Sequence, residues 1–309
     1  MGYPVAAGKV DIGSASMRYI PQLWAGKLLV KYYDATCLAK ITNTMYEGII
    51  KKMGDTVYIR QRPDMTIRDY VKGQTLVNEQ PESPSVSLEI DKGKYWSFVT
   101  DDLDEVQTDL KTFVNEWTTD ASEQLKIAID TDVLGDIYAD AHADNQGATA
   151  GRITGSFNMG VAGTPFALHE ENVLGKIVDA GTILDEQNVP ETGRFFLLSS
   201  WAAGMIKKSD LKDASLAGDA TSIMRNGLLG MIDRFTVFHS NLLDGDATNG
   251  TYMMFGHKDA TTFATQLIKS KVQDNPNGFG MLHRGLQVYG YEVVKPEALG
   301  VLFASYSTP

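Results

Sequence analysis

The sequence predicts an α+β fold, and three observations carry that expectation. A helical pattern runs unbroken by proline across residues 101–146. Period-two alternation lies on both sides of it, in residues 56–100 and 286–306. Between the helix and the second alternating region, short helical and strand-like patterns interleave with no repeat of 20–50 residues, which excludes a solenoid.

The 309 residues are 43% hydrophobic, enough to build one large domain or two ordinary ones and too apolar for global disorder. A net charge of −11 argues against a general nucleic-acid binder. The single Cys37 cannot form an internal disulfide, so a reducing compartment is expected. The N-terminus lacks a signal pattern, and no apolar run approaches the ~20 residues of a membrane span. A soluble intracellular product without a membrane role is expected.

The charge is uneven. Residues 1–54 hold seven Lys/Arg against three acids, a net +4 that leaves −15 for the remainder. Residues 101–144 hold thirteen acids against Lys111 and Lys126. Solvated surface is the ordinary reading. The functional reading is a basic arm and an acidic body that face different partners.

Residues 1–20 read as an extended arm. Pro21 suits the first turn of a helix, and Leu23, Trp24, Leu28, Tyr32, Ala35 and Leu38 then mark an apolar stripe. In "TVYIRQR" and "SVSLEI", Val57, Ile59, Val86, Leu88 and Ile90 alternate with polar neighbours, as in half-buried strands. The connection between them is long, polar and proline-punctuated. Its first half carries Arg68 and Lys72 and its second Glu79 and Glu82, while Arg60 and Arg62 close the strand before it. Such a length is unusual inside a compact domain, and a two-stranded ribbon is marginal alone. A projecting β-arm that packs on a neighbouring chain resolves both.

The helix from Asp101 has Asp101 or Asp102 as its cap and Asp104 and Glu105 at its positive end. Its inward face includes Trp117, Leu125, Leu134, Ile137 and Ala141, with Asp109, Glu116 and Glu123 outward. At ~1.5 Å per residue it would reach roughly 60 Å, and no strict heptad marks a coiled coil. "NQGATAGRITGSFNMGVAGTP" is the best internal boundary. Beyond it a helix is expected over 169–187, a buried strand in "RFFLLSS", a short helix in "WAAGMIKKS", strands in "FTVFHSN" and "TYMMFGH", a helix in "TTFATQL", and strands in "LQVYGYEVV" and "LGVLFASY".

Catalytic patterns are scarce. There is no GxxxxGK[ST], GxGxxG or GxSxG, and the five histidines pair in no metal-binding spacing. His239 and Ser240 are adjacent and would point to opposite faces of a strand. "DGDATNG" opens like a calcium loop but lacks its glycine and its final glutamate, so a turn is the simpler reading. Asp101, Asp102, Asp104 and Glu105 would bind a metal only if they converged. No catalytic, cofactor or metal residue is assigned.

The order of these parts resembles the major capsid protein of a tailed bacteriophage, the Hong Kong 97-type coat fold. The residues that carry it are "LDEQNVPETGRFFLLSSWAAGMI" (184–206), "GLLGMIDRFTVFHSNLL" (227–243), and "YGYEVVKPEALGVLF" (289–303), which resembles a closing hairpin. The resemblance implies an N-terminal arm at 1–54, an extended β-hairpin loop at 55–100, and a spine helix in a peripheral domain at 101–164. An axial α/β domain would follow at 165–275, with a return to the peripheral domain at 276–309. It implies pentamers and hexamers of an icosahedral shell around double-stranded DNA, in a virion capsid assembled in the host cytoplasm. Arg60, Arg62, Arg68, Lys72, Glu79 and Glu82 would then contact a neighbouring subunit. Lys9, Lys27 and Lys31 would face the interior or the subunit seams. Scaffolding and portal proteins are implied partners, with a decoration protein as an optional one. The scaffold is expected as a separate chain because no long domain precedes the arm. The Lys–Asn cross-link of some members finds no match here. The rival readings are an encapsulin-like compartment shell and a metal-dependent hydrolase that uses the spine carboxylates.

Overall fold

In this computed structural model the described residues are 36–45, 56–63, 65–101, 110–209, 230–276 and 278–308. Lys9, Lys27, Lys31, most of the Pro21 stripe, and Asp102, Asp104, Glu105 and Asp109 lie outside them. The arm enters the description at α1 (Leu38–Ile41), a single turn that buries Leu38 and Ile41.

The first alternating region forms an antiparallel ribbon of β1 (Thr56–Arg60) and β2 (Ser85–Glu89), registered from Thr56↔Glu89 to Arg60↔Ser85. Its inward residues are the expected ones. Ile59, Leu88 and Ile90 are buried in a small cluster with Ala264 and Val294. Ladder pairing stops at the base of the loop, where Gln61 N donates to Pro84 O at 2.8 Å. The loop doubles back at Lys72–Gly73: Gln74 N reaches Val71 O at 3.1 Å, and Gly73 holds φ +91°, a conformation that favours glycine.

A strand not singled out in the sequence, β3 (Lys92–Thr100), follows the ribbon. The long helix, α2, spans Leu110–Leu134 among the described residues, 25 residues or roughly 37 Å, and does not reach residue 146. It ends because Gly135 is a poor helix former and the last turn tightens: Asp136 N bonds to Val133 O, three residues back. Two 3-10 turns, Ile137–Asp140 and Ala143–Asn145, complete the segment. Leu134, Ile137 and Ala141 are still buried, so the apolar face is correct where the helix is not continuous. Trp117 is 39% exposed, less inward than its spacing implied, and meets Phe98 edge-on at 5.9 Å.

The main core lies around a seven-stranded sheet. Its strands are β4 (Phe166–Leu168), β5 (Arg194–Leu198), β6 (Met231–Ile232), β7 (Phe235–His239), β8 (Gly245–Asp246), β9 (Gly250–His257) and β12 (Leu299–Tyr306). The order is β4-β12-β9-β5-β7-β6, with β8 beside β9. All five residues of β5 are buried, which explains its unbroken apolar run. The helices α3 (Val173–Glu186) and α4 (Ser200–Lys208) bury Ile177, Ala180, Leu184, Ala202 and Ile206 in the same core.

The second sheet has the order β10-β11-β3, with β10 (Thr261–Asp274) and β11 (Met281–Val293). Two expectations are corrected here. "TTFATQL" is strand, not helix: Thr261, Thr262, Ala264 and Thr265 are buried, and the β-branched threonines suit the ladder with β11. Residues 289–303 are not a hairpin. β11 pairs with β10 and β3, whereas β12 pairs with β9 and β4, and the chain changes sheet at the 3-10 turn Pro296–Ala298. The segment 276–309 is therefore shared between the two sheets, and the three-stranded sheet already begins at Thr261. Asn145 pins the crossover: its side-chain amide donates to the carbonyls of Glu297 (2.8 Å) and Leu299 (2.9 Å).

Candidate assembly surfaces

Among the described residues no group of three or more His, Cys, Asp or Glu is placed to hold a metal ion. The "DGDATNG" segment is a turn, in which Asp246 accepts from Thr248 N and Asn249 N at 2.7 and 2.6 Å. No helix among the described residues is long and apolar enough to cross a membrane.

Several carboxylates of the acidic helix answer to the chain's own sheet. Asp132, in the last turn of α2, and Asp136, in the tightened turn just past its end, both face β3 and β11. Asp132 accepts from Tyr289 Oη at 2.8 Å and pairs with Lys94 at 3.4 Å. Asp136 pairs with Lys92 at 2.9 Å and accepts from the Tyr291 hydroxyl. The Tyr291 and Lys92 hydrogen bonds hold the Asp136 carboxyl below its ordinary range. Higher on the helix, Asp130 is buried and accepts the N–H groups of Cys37 (2.8 Å) and Leu38 (3.2 Å). That contact anchors the inner end of the arm.

The segment "QNVPETGR" also acquires a physical role. Arg194 is 1% exposed. Its guanidinium donates to the carbonyls of Val189 (2.6 Å), Pro190 (2.9 Å) and Gly181 (3.4 Å), and to Asp185 Oδ1 at 2.7 Å. One side chain thus gathers the end of α3, the left-handed turn at Asn188 and the head of β5. Burial raises the Asp185 carboxyl, but its hydrogen bonds from Arg194 and Arg234 outweigh that and hold it low.

The loop beyond the ribbon behaves differently. Its large apolar residues have no cover: Ile67 is 92% exposed, and Met65, Tyr70, Val71, Leu76 and Val77 are also exposed. Glu79 bridges the two limbs by accepting from Thr66 N and Oγ1, both at 3.3 Å. Arg60, Arg62, Arg68, Lys72 and Glu82 form no ion pair with the described residues. Arg68 and Lys72 sit near the tip, and Glu79 and Glu82 on the returning limb. The connection is polar in overall composition, but "MTIRDYVKGQTLV" also carries a dense set of exposed apolar side chains.

The described residues thus combine a well-buried interior with a loop whose large apolar side chains are exposed. The family model for phage capsid protein matches residues 85–301, well over half of the chain.

The chain belongs to the phage capsid protein family.

Among solved structures, this capsid protein is similar to a chain of Mycobacterium phage Che8, at 26% identity and a TM-score of 0.75, over 92% of this chain and 96% of that one. It is similar to the capsid of the cyanophage P-SCSP1u at 15% identity and a TM-score of 0.71, over 94% of each chain. It is similar to the mature capsid of bacteriophage PhiM1 at 14% identity and a TM-score of 0.68, over 98% of this chain and 97% of that one. No curated protein matches. The capsid protein has the Hong Kong 97-type α+β fold, and it is the major capsid protein of a tailed bacteriophage.

Proposed function

We propose that the capsid protein self-assembles into pentamers and hexamers of an icosahedral shell that encloses double-stranded DNA, with its loop laid on a neighbouring subunit. The observation that carries this reading is the loop itself. Ile67 and its apolar companions are exposed, and Arg60 at the end of β1 and Arg62, Arg68 and Lys72 beyond it have no ion-pair partner among the described residues. Contiguous exposed apolar surface of this kind supports a contact with another chain.

In this reading the protein is structural rather than enzymatic. Its parts are an arm (1–54), an extended loop (55–100), a peripheral domain with the spine helix, an axial domain, and a C-terminal segment that serves both sheets. Lys9, Lys27 and Lys31 lie toward the interior or the seams. Scaffolding and portal proteins, an optional decoration protein and packaged DNA are the partners, and assembly takes place in the host cytoplasm. Arg68→Glu with Lys72→Glu tests the loop. The expected result is a folded monomer that assembles poorly; normal shells from the double variant would overturn the role.

A further inference from the structure

Within the Gly-rich segment that follows the spine, residues 151–155 form a small finger. Gly151 and Gly155 hold φ +107° and +55°, and Gly155 N donates to Gly151 O at 2.9 Å. The Glu186 carboxylate, at the end of α3, clasps the finger. It accepts from Ile153 N at 2.7 Å, Thr154 N at 3.3 Å and Thr154 Oγ1 at 2.9 Å. The apex held in this way is apolar and bare. Ile153 is 74% exposed, and Arg152 beside it is exposed and forms no ion pair with the described residues. Fixing a backbone around an exposed isoleucine costs conformational entropy and removes little apolar area from water. A pre-ordered apolar apex does suit anchoring in a pocket of another chain.

The same chain carries a pocket of matching character. A hollow of about 310 Å³ opens beside the 3-10 turn Ile137–Asp140, and none of its lining residues is charged. Val301 and Phe303 of β12 are its buried lining. Tyr252 stacks on Tyr138 at 4.0 Å and meets Phe303 at 4.4 Å, and Val161 adds an exposed aliphatic group. The charge next to this apolar lining is negative. Asp244 accepts from Tyr138 Oη at 3.0 Å, and Asp140 follows Ala139, another lining residue. Both carboxylates are exposed and form no ion pair with the described residues.

We infer that Ile153 of one copy enters the Tyr138–Tyr252–Phe303 hollow of a second copy, with Arg152 set against Asp244 of that second copy. An uncharged aromatic hollow with acids beside it fits an aliphatic side chain with a cation next to it. Finger and hollow are different patches, so the contact runs head to tail and repeats around a ring, as pentamers and hexamers require. The inference rests on the proposal that copies of this chain assemble into such rings, and it names one contact that closes them. Asp140 and Asp244 would repel nucleic acid or an acidic peptide from the same hollow.

Disulfide trapping in the full-length chain tests the contact. Ile153→Cys with Val161→Cys, oxidised in assembled particles, should give a covalent ladder that ends at pentamers and hexamers. The parent chain should give none, because Cys37 is buried. Dimers alone would mean a two-fold exchange, and monomers alone would mean no contact between copies; either result overturns the inference. A second arm uses burial and charge. Ile153→Asp alters a side chain that the monomer leaves exposed, so the thermal transition should be kept while shell yield falls about tenfold or more. Arg152→Glu should weaken assembly, and adding Asp244→Arg should restore it. Normal shells from Ile153→Asp, with assembly still sensitive to Arg68→Glu and Lys72→Glu, would overturn this contact and leave the shell standing. A parent chain that forms no shells would overturn the assembly reading and this contact with it.

Discussion

The carboxylate of Asp130 accepts the backbone N–H of Cys37 at 2.8 Å, across 93 positions of sequence, and takes the N–H of Leu38 as well. It does for α1 what a capping side chain does for a longer helix, from a different element. Burial raises the Asp130 carboxyl, and the Leu38 and Cys37 bonds offset that in part. Asp130→Ala strands two buried donors and should cost about 1–3 kcal/mol in denaturant unfolding. Asp130→Asn keeps an acceptor and should cost less. Equal stability of the alanine variant and the parent would show that the contact anchors nothing.

Cys37 should be chemically quiet. Burial, with the Asp130 charge adding to it, pushes its thiol up to about 12, so almost no thiolate exists at neutral pH. Alkylation of the native subunit should be far slower than alkylation in denaturant. Equal rates would place Cys37 in solvent.

Arg194 should be among the costliest side chains to remove. Arg194→Ala leaves four acceptors around an emptied buried site and should lose roughly 3–5 kcal/mol. Arg194→Lys should recover little, because an ammonium cannot reproduce the planar fork. Arg234→Ala, on a pair open to solvent, should cost far less than Arg194→Ala. Comparable losses at the two positions would refute the assignment.

Acid should weaken the same corner. The Asp185 carboxyl is held low in the folded state, so its contribution is complete above the unfolded value of ~3.9 and is lost as pH falls through the lower folded value. Asp136 has the same sign. Below about pH 4 the parent should lose stability with falling pH more steeply than Asp185→Asn. Parallel profiles would mean that the ion pair makes no pH-dependent contribution.

Much of the fold was legible because single elements declared themselves. "RFFLL" could only be a strand covered on both faces, and the alternation of Val57, Ile59, Val86 and Leu88 located the ribbon. "TTFATQL" misled because its apolar spacing fits a helix, while its pairing with β11 is decided by residues far away in sequence. The spine was overextended because Leu134, Ile137 and Ala141 keep one face through two 3-10 turns. The closing strands looked like a hairpin because nothing local in "KPEA" says that the chain changes sheet. Surfaces were less legible. Arg194 reads as an ordinary surface cation until its carbonyl partners are placed. Lys271 and Arg284 become neighbours only once the register of β10 on β11 is known.

The central claim is that this subunit closes a shell by laying its loop on a neighbour. Electron microscopy of particles assembled from the full-length chain tests it most directly. The account predicts closed icosahedral shells of pentamers and hexamers, with residues 61–84 of each copy resting on the adjacent one and DNA within the filled particles. Small discrete species, or shells in which the loop touches only its own subunit, would contradict it.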